Sequence, residues 1–262
     1  VAGYFYPEGE RELRKMIEEM VDPEADKQKA ICVISPHAGY VYSGKVAASV
    51  FSSVLLPDKF IIIGPNHGDV PTRMALVKEG IWQTPLGDVP IDSSLAQLLL
   101  DQNEDIREDE KSHAQEHSLE VQIPFIQYFR DDFSIVPISI AYTASYKDLV
   151  KLGESISRSI QNYGRDVLIV ASTDMSHYVS QEEAREKDFL AIDKMLKMDA
   201  EGLYGVVRKE RISMCGYQPV TAALVASKKL QAKKAELIKY QTSGDVSGDF
   251  LRVVGYAGIR II

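Results

Sequence analysis

The sequence predicts an α/β fold: one domain over residues 1–262, with a mostly parallel or mixed sheet and helices on both faces. Three observations carry that reading. Short β-branched apolar runs alternate with amphipathic helical stretches along the whole chain. No Pro/Gly/Ser-rich linker, composition break, repeat or low-complexity segment divides them. Finally, three of the apolar runs stop abruptly and deliver a histidine, so that 30–34 leads to His37, 60–63 to His67 and 166–171 to His177. These are three of only five histidines in the chain. In an open α/β sheet, ligands bind outside the carboxyl ends of the strands. Three histidines on one such edge mark a site.

The elements follow in order. Residues 8–20 space Leu13, Met16, Ile17 and Met20 as one helical face, ended by Asp22-Pro23. After the strand at 30–34, residues 45–51 read as a helix. Residues 73–78 alternate like an edge or hairpin strand, and 82–90, with two prolines and Gly87, read as loop. Asp92 is a helix N-cap for Leu95, Leu98 and Leu99. Residues 101–117 are the most polar stretch, suited to a solvated connection or to a flap over the cleft, and 119–129 continues as helix. Residues 133–140 read as a strand. Helices follow at 147–161, stopped by Gly164, and at 182–198 with Phe189, Ile192 and Leu196 inward. Pro219 opens another, and strands at 237–241 and 251–256 close the chain.

Composition sets limits. Hydrophobic residues at 45% and charged ones at 26% are ordinary for a soluble globular protein. A net charge of −8 without a Lys/Arg cluster argues against nucleic-acid or anionic-membrane binding. No apolar run reaches bilayer-spanning length, and no basic-then-apolar leader opens the chain. Two cysteines form no disulfide framework, so the expected compartment is the reducing cytoplasm.

Three motifs offer competing chemistries. Gly39, Gly44 and Lys45 match the GxxxxGK of a phosphate-binding loop. However, Val46 stands where Ser or Thr should hold magnesium, and Tyr40, Val41 and Tyr42 crowd the loop. His113 to His117 spells HxxEH, which on a helix would put two histidines on one face to hold zinc, with Glu116 as base. That stretch is polar on every side, and its helix is expected only from Ser118. The third set is the strand-end histidines together with Cys215, just before a helix N-terminus whose dipole favours thiolate. Cys32, inside an apolar strand, is expected to be an inert packed thiol. Two histidines with an anionic third ligand leave coordination positions open, as in a non-haem iron site with sulfur in place of carboxylate.

The blocks PHAGYVYSG, IIIGPNHG, EHSLEVQIPFIQYF, STDMSHY and CGYQP, in this order, resemble the Memo family. The opening AGYFYP and the closing SGD and GYAG fit the same pattern, so the resemblance spans nearly the whole chain. It implies a fold like that of the class III extradiol dioxygenases, which hold iron(II) with two histidines and a glutamate. By the resemblance, His37 and His67 are metal-position histidines and Cys215 stands where the dioxygenases have a carboxylate. His177 matches their acid/base histidine, with Asp174 beside it. Asn66, in the IIIGPNHG block, and Glu116, His117 and Glu120 are expected to line the same cleft.

Two functions are therefore expected. One is a metal-dependent redox enzyme acting on an unidentified small molecule or peptide, using iron, copper or zinc. The other is a non-enzymatic binding or scaffold protein that keeps the fold and pocket without turnover. In either case Cys215 argues against extradiol ring cleavage: a thiolate is soft and oxidisable where that chemistry uses a hard oxygen donor.

Overall fold

The structure, a computed structural model, describes residues 1–68 and 72–262. The parallel centre of its sheet is built from β1 (Cys32–Ser35), β8 (Leu168–Ser172), β2 (Lys59–Pro65) and β7 (Ser134–Ile140), adjacent in that order. Antiparallel strands extend it on both sides. β11 (Val253–Ile261) pairs with β1, and β10 (Ala235–Thr242) and β9 (His177–Val179) pair with β11. On the other side β3 (Met74–Leu76) pairs antiparallel with β7, and β6 (Arg107–Glu108) runs parallel to β3. The result is the expected mixed α/β sheet.

Side-chain alternation explains why helices cover both faces. Cys32, Ile34, Ile61, Ile63, Ile169 and Ala171 point into one apolar core. Val33, Phe60, Ile62, Leu168 and Val170 point into the other. A strand buried on both faces must be apolar throughout, hence the continuous runs that mark β1, β2 and β8. The first core is closed by α3 (Ser93–Gln102), α5 (Tyr146–Tyr163), α6 (Gln181–Leu196), α7 (Ala200–Lys209) and α8 (Tyr217–Lys229). The second is closed by α1 (Glu10–Glu18), α2 (Tyr40–Ser52) and α4 (Ile123–Phe129). A one-turn helix, α9 (Gly244–Ser247), precedes β11. No helix among the described residues is long and apolar enough to cross a membrane.

Local signals hold where they rest on capping. The Asp92 side chain accepts the Leu95 N–H at 2.9 Å, and Gly164 ends α5 in the left-handed conformation. Four expectations need correction. Residues 82–90 are not loop but a hairpin, β4 (Ile81–Thr84) with β5 (Gly87–Pro90), in which Trp82 faces Val89. Its prolines sit in the turn and at the strand end, where no ladder bond is lost. α2 begins at Tyr40, so the GxxxxGK stretch is already helical and offers no loop to cradle phosphate. In 119–129 a 3₁₀ turn (Glu120–Gln122) precedes α4. Phe189 is 46% exposed, because the inner face of α6 is taken by Ala184, Asp188, Ala191, Ile192 and Met195.

Candidate metal centre

Because β1, β8 and β2 are parallel neighbours, their carboxyl ends meet at one edge. β1 delivers His37, β2 delivers His67, and β8 runs on into Thr173 and Asp174. Cys215 stands one residue before Gly216, the N-cap of α8. The approach is close: the Gly216 N–H donates to Thr173 Oγ1 at 3.0 Å, and any Cβ on Gly216 would collide with the Ser172 carbonyl and the Thr173 side chain. The cysteine is thereby pressed against the end of β8. The donor atoms of His37, His67 and Cys215 lie within 4.8 Å of one another.

Each donor is held by its neighbours. His37 is buried, with Nδ1 2.9 Å from Ser172 Oγ and Nε2 3.2 Å from Cys215 Sγ. Its backbone N–H donates to Asp174 Oδ1 at 2.8 Å. Burial pushes the imidazole well below its usual pKa, helped by the neighbouring His67 and His117. At His67, Nδ1 lies 3.0 Å from Glu116 Oε1, and the backbone N–H donates to Glu116 Oε2 at 2.6 Å. Burial opposes protonation of this ring, but the Glu116 carboxylate overcomes it and raises the pKa. Burial likewise opposes ionisation of Glu116, yet bonds from the His67 ring and the backbone N–H groups of His67 and Ser118 hold it down at about 2.

Cys215 departs from expectation. Burial, reinforced by the Asp174 carboxyl, pushes its thiol up, against the helix-dipole effect. The Asp174 N–H donates to its sulfur at 3.3 Å. Cys32 behaves as expected: it is buried in β1 and its thiol is pushed up to about 12 by burial.

The remaining predicted residues divide. His117 lies between Phe5 and His67, with ring centroids at 4.3 and 4.6 Å, and meets His37 edge-on at 5.5 Å. With His67 and Glu116 it forms a second group of converging donors. Asn66 is buried and held on three sides: its Nδ2 donates to the Ser112 carbonyl and Ser139 Oγ, and its Oδ1 accepts the Gly68 N–H. Glu120 accepts the Tyr6 hydroxyl at 2.6 Å and so fastens the N-terminal arm. His177 is in neither donor group; its Nδ1 lies 2.8 Å from the Ser213 carbonyl. The Asp174 carboxylate accepts the His37 backbone N–H.

The HxxEH stretch is not a helix, and its histidines part company. His113 is buried with Nε2 3.2 Å from the Ala75 carbonyl, while His117 faces the cleft. Nor is 101–117 a solvated connection throughout, because Ser112, His113 and Glu116 are all buried. Its second half borders the cleft, where a cavity of about 400 Å³ is lined by Asn66, His67, Lys111, Ser112, Gln115 and Glu116 among others. Sequence reasoning missed Ser172, Ser118 and Gln122, which bond around His37. All three lie inside the STDMSHY and EHSLEVQ blocks, but a serine or glutamine has no distinctive spacing signal.

Fold and site together define an α/β protein with a His/Cys donor cluster at the carboxyl edge of a parallel sheet. The chain belongs to the Memo family: residues 1–260 match the Memo-like protein family. A MEMO1 family protein of Methanothermobacter thermautotrophicus is 40% identical, covering 98% of this chain and 97% of its own length. One from Methanococcoides burtonii is 43% identical, covering 100% and 98%. An uncharacterized protein of Escherichia coli K12 shares the fold at a TM-score of 0.53 and 16% identity, over 87% of this chain and 99% of that one.

Proposed function

We propose that His37, His67 and Cys215 hold a transition metal that serves redox chemistry on a small molecule admitted beside His67. The observation behind this reading is the convergence of two imidazoles and a thiol within 4.8 Å at the carboxyl edge of the sheet. The donor set fits such an ion: imidazole and sulfur suit iron, copper or zinc and disfavour magnesium or calcium. Three protein ligands leave positions open for substrate. When bound, the metal supplies Lewis acidity and, if iron or copper, an electron-transfer centre.

The chain's own residues prepare the site. Glu116 orients the His67 ring, and the Asp174 N–H directed at the Cys215 sulfur favours the thiolate that ligation requires. The cavity of about 400 Å³ falls within the range of small-molecule sites. His177 keeps Nε2 for proton exchange, its Nδ1 being engaged by the Ser213 carbonyl. The thiol standing in for a carboxylate weighs against extradiol ring cleavage, since sulfur beside an oxygen-activating metal is itself oxidisable.

The test is metal content after anaerobic purification, in the parent protein and in His37→Ala. The parent is expected to carry or take up iron, copper or zinc and the variant to lose it. Loaded parent given simple catechols and then air is expected to yield no ring-cleaved product. A well-folded parent without metal capacity would sink the enzyme reading and leave a binding protein that retains the fold and pocket. Robust catechol cleavage would instead restore the dioxygenase reaction.

A further inference from the structure

We propose that the segment 116–122, together with Ser172 at the end of β8, presets the His37 and His67 imidazoles as Nδ1–H tautomers, with Ser172 and Glu116 as the positioning residues. This rests on the metal-centre reading and deepens it, since it states which nitrogen each histidine offers.

Counting hydrogens at Ser172 decides the His37 side. Ser172 Oγ carries one proton and lies 2.6 Å from the Ser118 carbonyl, which can only accept. Gln122 Nε2, which can only donate, lies 2.9 Å from the same oxygen and 2.9 Å from the Pro36 carbonyl. A flipped Gln122 would set its own carbonyl against that of Pro36, so the amide orientation is determined. With its proton given to Ser118, Ser172 Oγ has only a lone pair for His37 Nδ1 at 2.9 Å. His37 must supply that hydrogen. The neutral ring is therefore protonated on Nδ1, and its bare Nε2 faces Cys215 Sγ at 3.2 Å.

A carboxyl group that takes a backbone N–H on each of its oxygens decides the His67 side. Glu116 Oε1 accepts from His67 Nδ1 at 3.0 Å and from the Ser118 N–H at 2.8 Å, while Oε2 accepts the His67 backbone N–H at 2.6 Å. Every one of these contacts is acceptance, so in the neutral ring Nδ1 again bears the proton and Nε2 keeps the lone pair.

Ser118 joins the two systems: its N–H goes to Glu116, its carbonyl receives Ser172, and its hydroxyl donates to the Pro65 carbonyl at 2.9 Å. It sits against β2 at Gly64, where a Cβ would come within 2.7 Å of Ser118 Oγ. Ser118, Gln122 and Ser172 are fully buried and Glu116 is 5% exposed, so water does not compete for these bonds. The partners differ in charge, a neutral hydroxyl for His37 and a carboxylate for His67. His67 is therefore the more strongly donating imidazole of the pair.

The experiment is long-range nitrogen–proton NMR of metal-free protein with ¹⁵N-labelled histidine, followed by zinc(II) titration. In the wild type, His37 is expected to show a protonated Nδ1 and a bare Nε2, which needs no variant to fold. Ser172→Ala is expected to give mixed tautomers and Ser172→Thr to restore the single one. Zinc affinity should fall roughly 10–100-fold in Ser172→Ala and in Glu116→Ala, the usual cost of losing an outer-shell partner. An Nε2–H ring at His37 in the wild type, or an undisturbed tautomer in Ser172→Ala, overturns the proposal. Preset tautomers in a protein that takes up no zinc would support this wiring and sink the metal-centre reading alone.

Discussion

The parallel strands hold one cysteine at the start of β1 and meet a second at their carboxyl end, and the two buried histidines divide in the same way. Cys32 in β1 has a backbone carbonyl, Val33 O at 3.5 Å, as its hydrogen-bond partner, whereas Cys215 faces an imidazole at 3.2 Å and a backbone N–H at 3.3 Å. His113 is pinned to the Ala75 carbonyl, whereas His37 sits among Cys215, Ser172, His67 and His117. Burial raises both thiols and lowers both imidazoles. A shifted pKa therefore does not separate the site from the core here. The convergence of several donors does.

The largest expected effect lies at the histidine outside the cleft. Burial lowers His113 to about 4, against 6.5 for the free side chain. Above 6.5 the ring is neutral whether the chain is folded or not, and it adds no pH dependence. As pH falls through 6.5 the unfolded chain takes up a proton that the folded one refuses, so stability declines until the folded ring titrates at about 4. The loss accumulated across that window is on the order of 3 kcal/mol. Denaturant unfolding of metal-free wild type and His113→Gln between pH 7 and 4 measures it. The variant should lose the part of the slope due to this ring, and identical slopes would show that the buried imidazole is not the cause.

Next come the two thiols. Cys215→Ser should weaken metal binding at least about 100-fold, beyond the usual outer-shell loss, while leaving the metal-free unfolding transition close to wild type. Cys32→Ser should do the reverse. A hydroxyl placed in the apolar interior of β1 costs about 1–3 kcal/mol if unpaired, with metal affinity unchanged. Paired metal titrations and denaturant curves on the two variants sharpen the contrast. Equal metal affinity in Cys215→Ser and wild type would remove the thiol from the ligand set.

Much of this contrast is legible in the amino-acid sequence. Strands whose side chains alternate between two cores must be apolar throughout, so β1, β2 and β8 stand out as runs, and their abrupt ends expose His37 and His67. Capping chemistry marks Asp92 and Gly164 because it is local. Most failures share a cause, which is that partners distant in sequence decide them. The hairpin at Trp82 is the one local case, since it closes on Val89 only seven residues further along. The burial of His113 and Glu116 depends on Ala75 and His67. The inward face of α6 includes Asp188, which accepts the Ser176 N–H and the Tyr240 hydroxyl, beside Ala191, Ile192 and Met195, and this turns Phe189 outward. Ser172 and Gln122 carry no pattern of their own; their role exists only once β8 and the 116–122 segment meet.

The smallest expected effect concerns His177, which the family resemblance pairs with His37 and His67 but which the geometry sets apart. Its Nδ1 is engaged by the Ser213 carbonyl, its backbone N–H donates to Ser213 Oγ, and it belongs to neither donor cluster. A residue that exchanges protons with substrate acts on turnover, where such groups contribute typically 10²–10⁴-fold, and not on metal affinity. His177→Asn should therefore leave metal binding within about 0.5 kcal/mol of wild type, the range of substitutions that touch no special feature. In His37→Ala the same titration should lose the metal. If His177→Asn instead released the metal to a similar degree, the ring would have to swing from Ser213 into the cleft when the ion binds. The boundary between ligands and proton-exchange group would then fall.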